Sequence, residues 1–175
     1  MSSEIRRVGR GVLPASGEEF HYSIRVLGRA HIDDVVALQN AVLVPLKPPL
    51  PLYRRDREFF ENCCIEGAGC VLGAFHGDRL IAYASLHSPG DSEENLGRSL
   101  GLSGRDLLSV ARHAGSAVHA DYRRNRLQAE LSEVREEIAA ANPRYAPLAE
   151  LEAVDRLLSD LGLPVTALFS TLGRT

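Results

Sequence analysis

The chain has 175 residues, 45% of them apolar and 25% charged, with a formal net charge of −3. That is enough chain for one domain with a real core, in ordinary globular proportions. The negative balance and the lack of a basic stripe speak against nucleic acid, and no apolar run reaches the roughly 18 residues that a membrane span needs.

Residues 1–20 are polar and glycine-bearing and read as an N-terminal arm, without the long apolar run of a signal peptide. From His21 to Leu27 apolar and polar residues alternate, with Tyr22, Ile24 and Val26 on one side, as in a strand. Ile32, Val35, Val36, Gln39 and Val42 then share a helical face, with Asp33 and Asp34 where the dipole favours acid. Pro45, Pro48, Pro49 and Pro51 exclude helix from Val44 to Leu52, which reads as an extended loop. A second helix is expected from Asp56 to Ile65, with Phe59, Phe60, Cys63 and Cys64 facing inward.

Cys70 to Phe75 and Leu80 to Leu86 form a hairpin around His76, Gly77, Asp78 and Arg79. The second run is apolar enough to lie mid-sheet. Ser88 to Gly104 is rich in Gly, Ser and acid, as a surface segment would be. Ser103 and Asp106 make a capping-box pattern before Leu107, Leu108 and Val110. His113 to His119 is a short strand candidate. Leu127, Leu131, Val134 and Ile138 then mark the apolar face of a long helix that Pro143 stops. Tyr145 to Ala149 suggests a strand, Leu151 to Leu161 a last helix and Pro164 to Ser170 a last strand. The fold class is therefore α/β (α+β), a mixed, mostly antiparallel sheet of about six strands flanked by helices on both faces. Cys63, Cys64 and Cys70 lack any CxxC or His ligand spacing, so they read as reduced core thiols and place the protein in the cytoplasm; no metal is expected.

The stretch VHADYRRNRLQ, Val118 to Gln128, joins a strand end to a helix start through a turn with three arginines and an asparagine. Unpaired N–H groups and the positive end of the dipole at such a place suit a phosphate. The alternative is an exposed basic turn that caps a surface helix.

Taken with the element order, this stretch resembles the GNAT superfamily of N-acetyltransferases, in which a sequence like V-H-P-D-Y-R-G-x-G-L-G or L-Q follows the fourth strand. Val118, His119, Asp121, Tyr122, Arg123, Leu127 and Gln128 match it. NLGRSLGLSGRDLLSVARHAGS looks like the segment before that strand, and DRLLSDLGL like the family's late helix. The likeness spans His21 to Leu168, a single GNAT-like domain over residues 21–175. It implies that acetyl-CoA is the co-substrate, with its pyrophosphate cradled at Arg123, Arg124, Asn125, Arg126, Leu127 and Gln128. Val118 and His119 would flank the pantetheine arm. It also implies direct acetyl transfer to an amine acceptor, a small molecule or a protein. The family usually carries Gly where Arg124 and Arg126 stand, often Asn at the place of Leu151, and in many members a thiolate-protonating Tyr at the place of Leu158. These departures keep a second reading open, a catalytically degenerate GNAT-fold module acting in ligand binding or assembly.

Acyl transfer needs a route for the amine proton. His113, five residues before Val118, is the candidate base, and regular alternation would set it on one side with Gly115, Ala117 and His119. Tyr83 on the central strand, and Glu93 and Glu94 in the acidic loop, are further candidates for the acceptor site. The sequence leaves the oligomeric state open, a homodimer included.

Overall fold

The computed structural model describes residues 5–43 and 54–143. The expected loop from Val44 to Leu52 and the three elements expected after Pro143, with Leu151 and Leu158, lie outside the described residues. The chain divides into two compact units. One holds residues 1–88 and 111–138; the other holds 89–110 and 139–175.

The first unit is organised on a five-stranded sheet in the order β1 (Ile5–Val12), β2 (Glu19–Leu27), β3 (Gly69–His76), β4 (Arg79–His87), β5 (Arg112–Val118). Every described pairing is antiparallel. The expected hairpin is there, with Gly77 and Asp78 alone in the turn and Gly77 at φ 58, as a tight hairpin requires. β4 is buried along nearly its whole length between β3 and β5.

Residues 5–12, expected within the N-terminal arm, instead form a strand paired with β2. Its inward positions are glycines because β2 places rings there. A Cβ on Gly9 would come within 2.4 Å of the Tyr22 ring, and one on Gly11 within 2.7 Å of the Phe20 ring. Val8 and Val12 point outward and are exposed.

Helices α1 (Ile32–Leu43) and α2 (Arg57–Cys63) cover one face of the sheet. Ile32, Val35 and Leu38 pack with Phe60, Cys63, Val71, Phe75, Leu80, Tyr83 and Ala117 in one apolar cluster. Asp56 starts α2 by accepting the Phe59 N–H at 2.8 Å. Helix α4 (Leu127–Ala141) lies on the other face, burying Leu127, Leu131 and Val134 as the sequence spacing suggests. Its Gln128 donates to Ser116 Oγ at 3.4 Å. On its outer side, Glu133 and Glu137 take Arg7 of β1 at 2.5 and 2.6 Å. Cys63 and Cys70 are buried, and all three cysteines are free thiols.

In the second unit, buried Asn95 ties the acidic loop together. Its Nδ2 donates to Leu107 O at 2.9 Å and its Oδ1 accepts the Gly97 N–H at 2.9 Å. Helix α3 (Gly104–Leu108) starts after Ser103, whose side chain makes no capping bond. The expected capping box is thus not formed, because Gly104 enters with φ 52, outside the helical region that the box requires. No described helix is long and apolar enough to cross a membrane.

Candidate functional site

β5 ends at Val118, paired with Ala82, and the chain passes through a 3-10 turn, Ala120–Tyr122, before α4 begins at Leu127. Tyr122 anchors this turn. It is buried, its ring meets Phe20 edge-on at 5.0 Å, and its hydroxyl lies 3.2 Å from His76 Nδ1. His119 caps the turn. Its Nδ1 accepts the Asp121 N–H at 3.3 Å, and its Nε2 lies 3.0 Å from the Arg79 guanidinium.

Arg123 is extended, at φ −63 and ψ 164. Arg124 and Arg126 then adopt φ 67 and 59, the left-handed conformation natural to glycine. Left-handed residues in a turn gather successive N–H groups into a concave donor set for an anion. Among the described residues, the N–H groups of Arg124, Asn125, Arg126 and Leu127 meet no acceptor. They sit at the start of a 15-residue helix whose dipole adds positive potential. The side chains of Arg123, Arg124 and Arg126 are exposed, so none of the three guanidinium groups is packed into the fold.

Asn125 works through its side chain as well. Its Oδ1 accepts the Val12 N–H at 2.8 Å and its Nδ2 donates to Val12 O at 2.9 Å, an amide clamp that extends the sheet pairing from β1 into the turn. Nδ2 also reaches the carbonyls of Tyr122 and Arg123, each at 3.2 Å. A Cβ on Gly11 would lie 2.7 Å from Asn125 Oδ1, so the clamp and that glycine require each other.

His113 departs from the expected alternation. The β4–β5 register shifts between Ser85 and Leu86, leaving Ala114 as the extra residue of a bulge. Gly115 and Ala117 pair with Ser85 and Tyr83, whereas His113 pairs with Leu86 and so faces α4. There it meets Arg135, which is fully buried and donates to Ser85 O at 3.2 Å and Ser132 Oγ at 2.8 Å. Burial, aided by the Arg135 charge, pulls the His113 imidazole down to about 4. Burial likewise draws Arg135 down to about 10. Arg135 belongs to the same buried stripe as Leu131 and Val134; a lone cation at helical spacing inside an apolar face was the signal for it.

On the opposite face, Tyr83 donates to Gln39 Oε1 at 3.2 Å. Gln39 in turn holds both backbone groups of Arg55, accepting its N–H at 3.0 Å and donating to its carbonyl at 2.7 Å. The Arg55 guanidinium lies over the Phe59 ring, 4.6 Å from its centroid, and that ring is 5.1 Å from His87. Arg112 pairs with His87 across the β4–β5 ladder. Burial pushes the Cys63 thiol up to about 12, with the charges of Arg55 and Arg112 both pulling the other way. A shallow groove of about 480 Å³ lies elsewhere on this side of the sheet, lined by Val8, Arg10, His21, Ser23, Arg25 and Phe75.

No family model and no curated protein matches the chain. Solved structures do. A yellow fever mosquito (Aedes aegypti) protein assigned as arylalkylamine N-acetyltransferase 7 aligns with TM-score 0.57 at 12% identity, over 81% of this chain and 71% of that one. A ribosomal-protein-alanine N-acetyltransferase from Brucella melitensis gives TM-score 0.46 at 19% identity, over 71% and 76% of the two chains. A Salmonella typhimurium protein assigned as an acetyltransferase, solved with its cofactor acetyl-CoA, gives 0.48 at 15%, over 81% and 78%. The mosquito protein carries the fold argument: this chain has the GNAT fold.

Proposed function

We propose that the chain is an acetyl-CoA-dependent N-acyltransferase that acetylates an amine by direct transfer. One observation carries the reading: the turn from Arg123 to Leu127 keeps the backbone shape of a phosphate cradle at the start of α4, although arginines stand at its left-handed positions. The donor set fits a diphosphate, with backbone N–H groups aimed by the turn and flexible guanidinium groups at its rim. Acetyl-CoA supplies an activated acyl thioester. The chain's part is to hold the phosphates, to line the arm with Val118 and His119, and to leave the β4–β5 ladder interrupted at Ala114. A residue outside the ladder is suited to polarising a thioester carbonyl.

His113 makes a poor base for this reaction. Moving a proton from an alkylammonium near 10 to an imidazole near 4 costs about 8 kcal/mol. The acceptor amine therefore has to lose its proton by another route before attack. Tyr83 is packed in the core against Gln39, which leaves the half-buried Arg55 cluster on that face of the sheet as the amine's surroundings.

Isothermal titration with acetyl-CoA and CoA, followed by thiol release over a panel of amines, tests the proposal. Both nucleotides are expected to bind, and Arg123→Ala is expected to weaken them by about 1–2 kcal/mol through loss of a charge-assisted contact. No heat and no thermal shift at millimolar nucleotide would end this reading. Binding without transfer to any amine would favour the binding-module alternative.

A further inference from the structure

We infer that the acceptor amine carries an oxyanion, a carboxylate or a phosphate, and that Arg55, stacked on Phe59 beside His87 and Arg112, receives it. This rests on the acyl-transfer reading above, because it identifies the cluster with the acceptor side of the same site.

Placement comes first. The phosphate turn follows the C-terminal end of β5, and Arg112 begins that strand. A cofactor held by its phosphates at the turn and running along β5 brings its reactive end toward the strand's start, about 20 Å away at the usual rise per residue. Arg112, His87, Phe59 and Arg55 stand at that end, on the face covered by α1 and α2. All four are half-buried and so remain within reach of a ligand.

Charge comes second. The neighbouring arginine, Arg57, is matched by acid, its guanidinium meeting Asp33 and Glu61. Asp56 is occupied with the N-terminus of α2. Arg55 has no such match: its Nε is buried without an acceptor among the described residues. The fold nevertheless holds it in place, since Gln39, 1% exposed, fixes its backbone from both sides and the Phe59 ring supports its guanidinium plane. A planar cation with its backbone fixed, one face against an aromatic ring and no acid matched to it among the described residues, is the arrangement that recognises a carboxylate or phosphate. The Arg112 guanidinium adds positive charge on the same side, where Arg112 pairs with His87 across the ladder.

The test uses matched acceptors that differ only in the oxyanion: amino acids against their decarboxylated amines, and phosphoethanolamine against ethanolamine. Thiol release from acetyl-CoA gives kcat/KM, and titration in the presence of CoA gives affinity. In at least one of these pairs the oxyanion member should lead its twin by tenfold or more. The carboxylate and phosphate pairs separate the two sources of charge. Arg55→Ala should remove at least tenfold of that lead and leave the KM for acetyl-CoA unchanged; Arg55→Lys should recover part of it, and Arg57→Ala should leave it intact. If no oxyanion member surpasses its twin in turnover or in affinity, or if the lead survives Arg55→Ala, the inference is overturned. The two readings fail separately. Loss of nucleotide binding ends the acyl-transfer reading, whereas nucleotide binding with no oxyanion preference ends only this one.

Discussion

Arg124 and Arg126 hold a backbone shape that a side chain disfavours by roughly 1–2 kcal/mol per residue. Tyr122 below the turn and the Asn125 clamp beside it over-determine the turn, so the strain persists. Glycine at either position would relieve it, while adding about 0.5–1 kcal/mol of unfolded-state entropy to be lost on folding. Arg124→Gly and Arg126→Gly should each stabilise the protein by up to about 1 kcal/mol in denaturant unfolding, and neither should weaken CoA by more than the loss of one guanidinium group allows. A large loss of CoA affinity in Arg126→Gly alone would show that its side chain holds phosphate directly. His113 is a second residue under constraint, here from Arg135 and burial. Its folded value near 4 lies below the unfolded value near 6.5, so the unfolded chain takes up the proton first as pH falls. Stability from this group is therefore complete above about pH 7 and is lost between about 6.5 and 4. His113→Gln should flatten that part of the profile, measured as denaturation midpoints at pH 7, 5.5 and 4.5; an unchanged acid slope would exclude His113 as its source.

The elements that the sequence disclosed are those in which burial follows the backbone period. α1, α2, the β3–β4 hairpin and α4 all put their apolar residues on the inner face, so Ile32, Val35, Phe60, Leu131 and Val134 could be read directly. β1 hid because its pattern is inverted. Glycines occupy its inner positions, where the rings of Phe20 and Tyr22 need the space, while Val8 and Val12 face out. The bulge at Ala114 was invisible for a related reason: one extra residue shifts a side chain to the other face without altering composition, and that moved His113 from the face of Ala117 to the face of α4. The backbone of the proposed phosphate turn was legible because it is local, a strand end, a basic turn and a helix start in eleven consecutive residues. The Arg55 cluster was not, since Gln39, Arg55, Phe59, His87 and Arg112 meet only when two helices and two strands assemble.

Within the sheet-bearing unit, the N-terminal strand and the turn before α4 are bound together as one structure. β1 is bound to β2 by its ladder, to α4 through Arg7 with Glu133 and Glu137, and to the turn through Asn125 on Val12. The exposed ion pairs contribute little to stability, because solvent screens them and two long side chains must be ordered. The amide clamp differs in kind. It makes two hydrogen bonds of good length to one residue, and it fixes the middle of a turn whose two flanking residues are strained. Asn125→Ala should cost about 1–2 kcal/mol of stability from these bonds. It should also release Arg124 and Arg126 from their left-handed conformations, so CoA should bind several-fold more weakly although no ligand contact of the side chain is lost. Deleting residues 1–12 breaks the same clamp from its other end. If the clamp carries the coupling, the deletion combined with Asn125→Ala should weaken CoA scarcely more than either change alone, as contacts within one unit are non-additive. Additive losses in titrations of the wild type, both single variants and the combination would show that β1 supports the turn by another route.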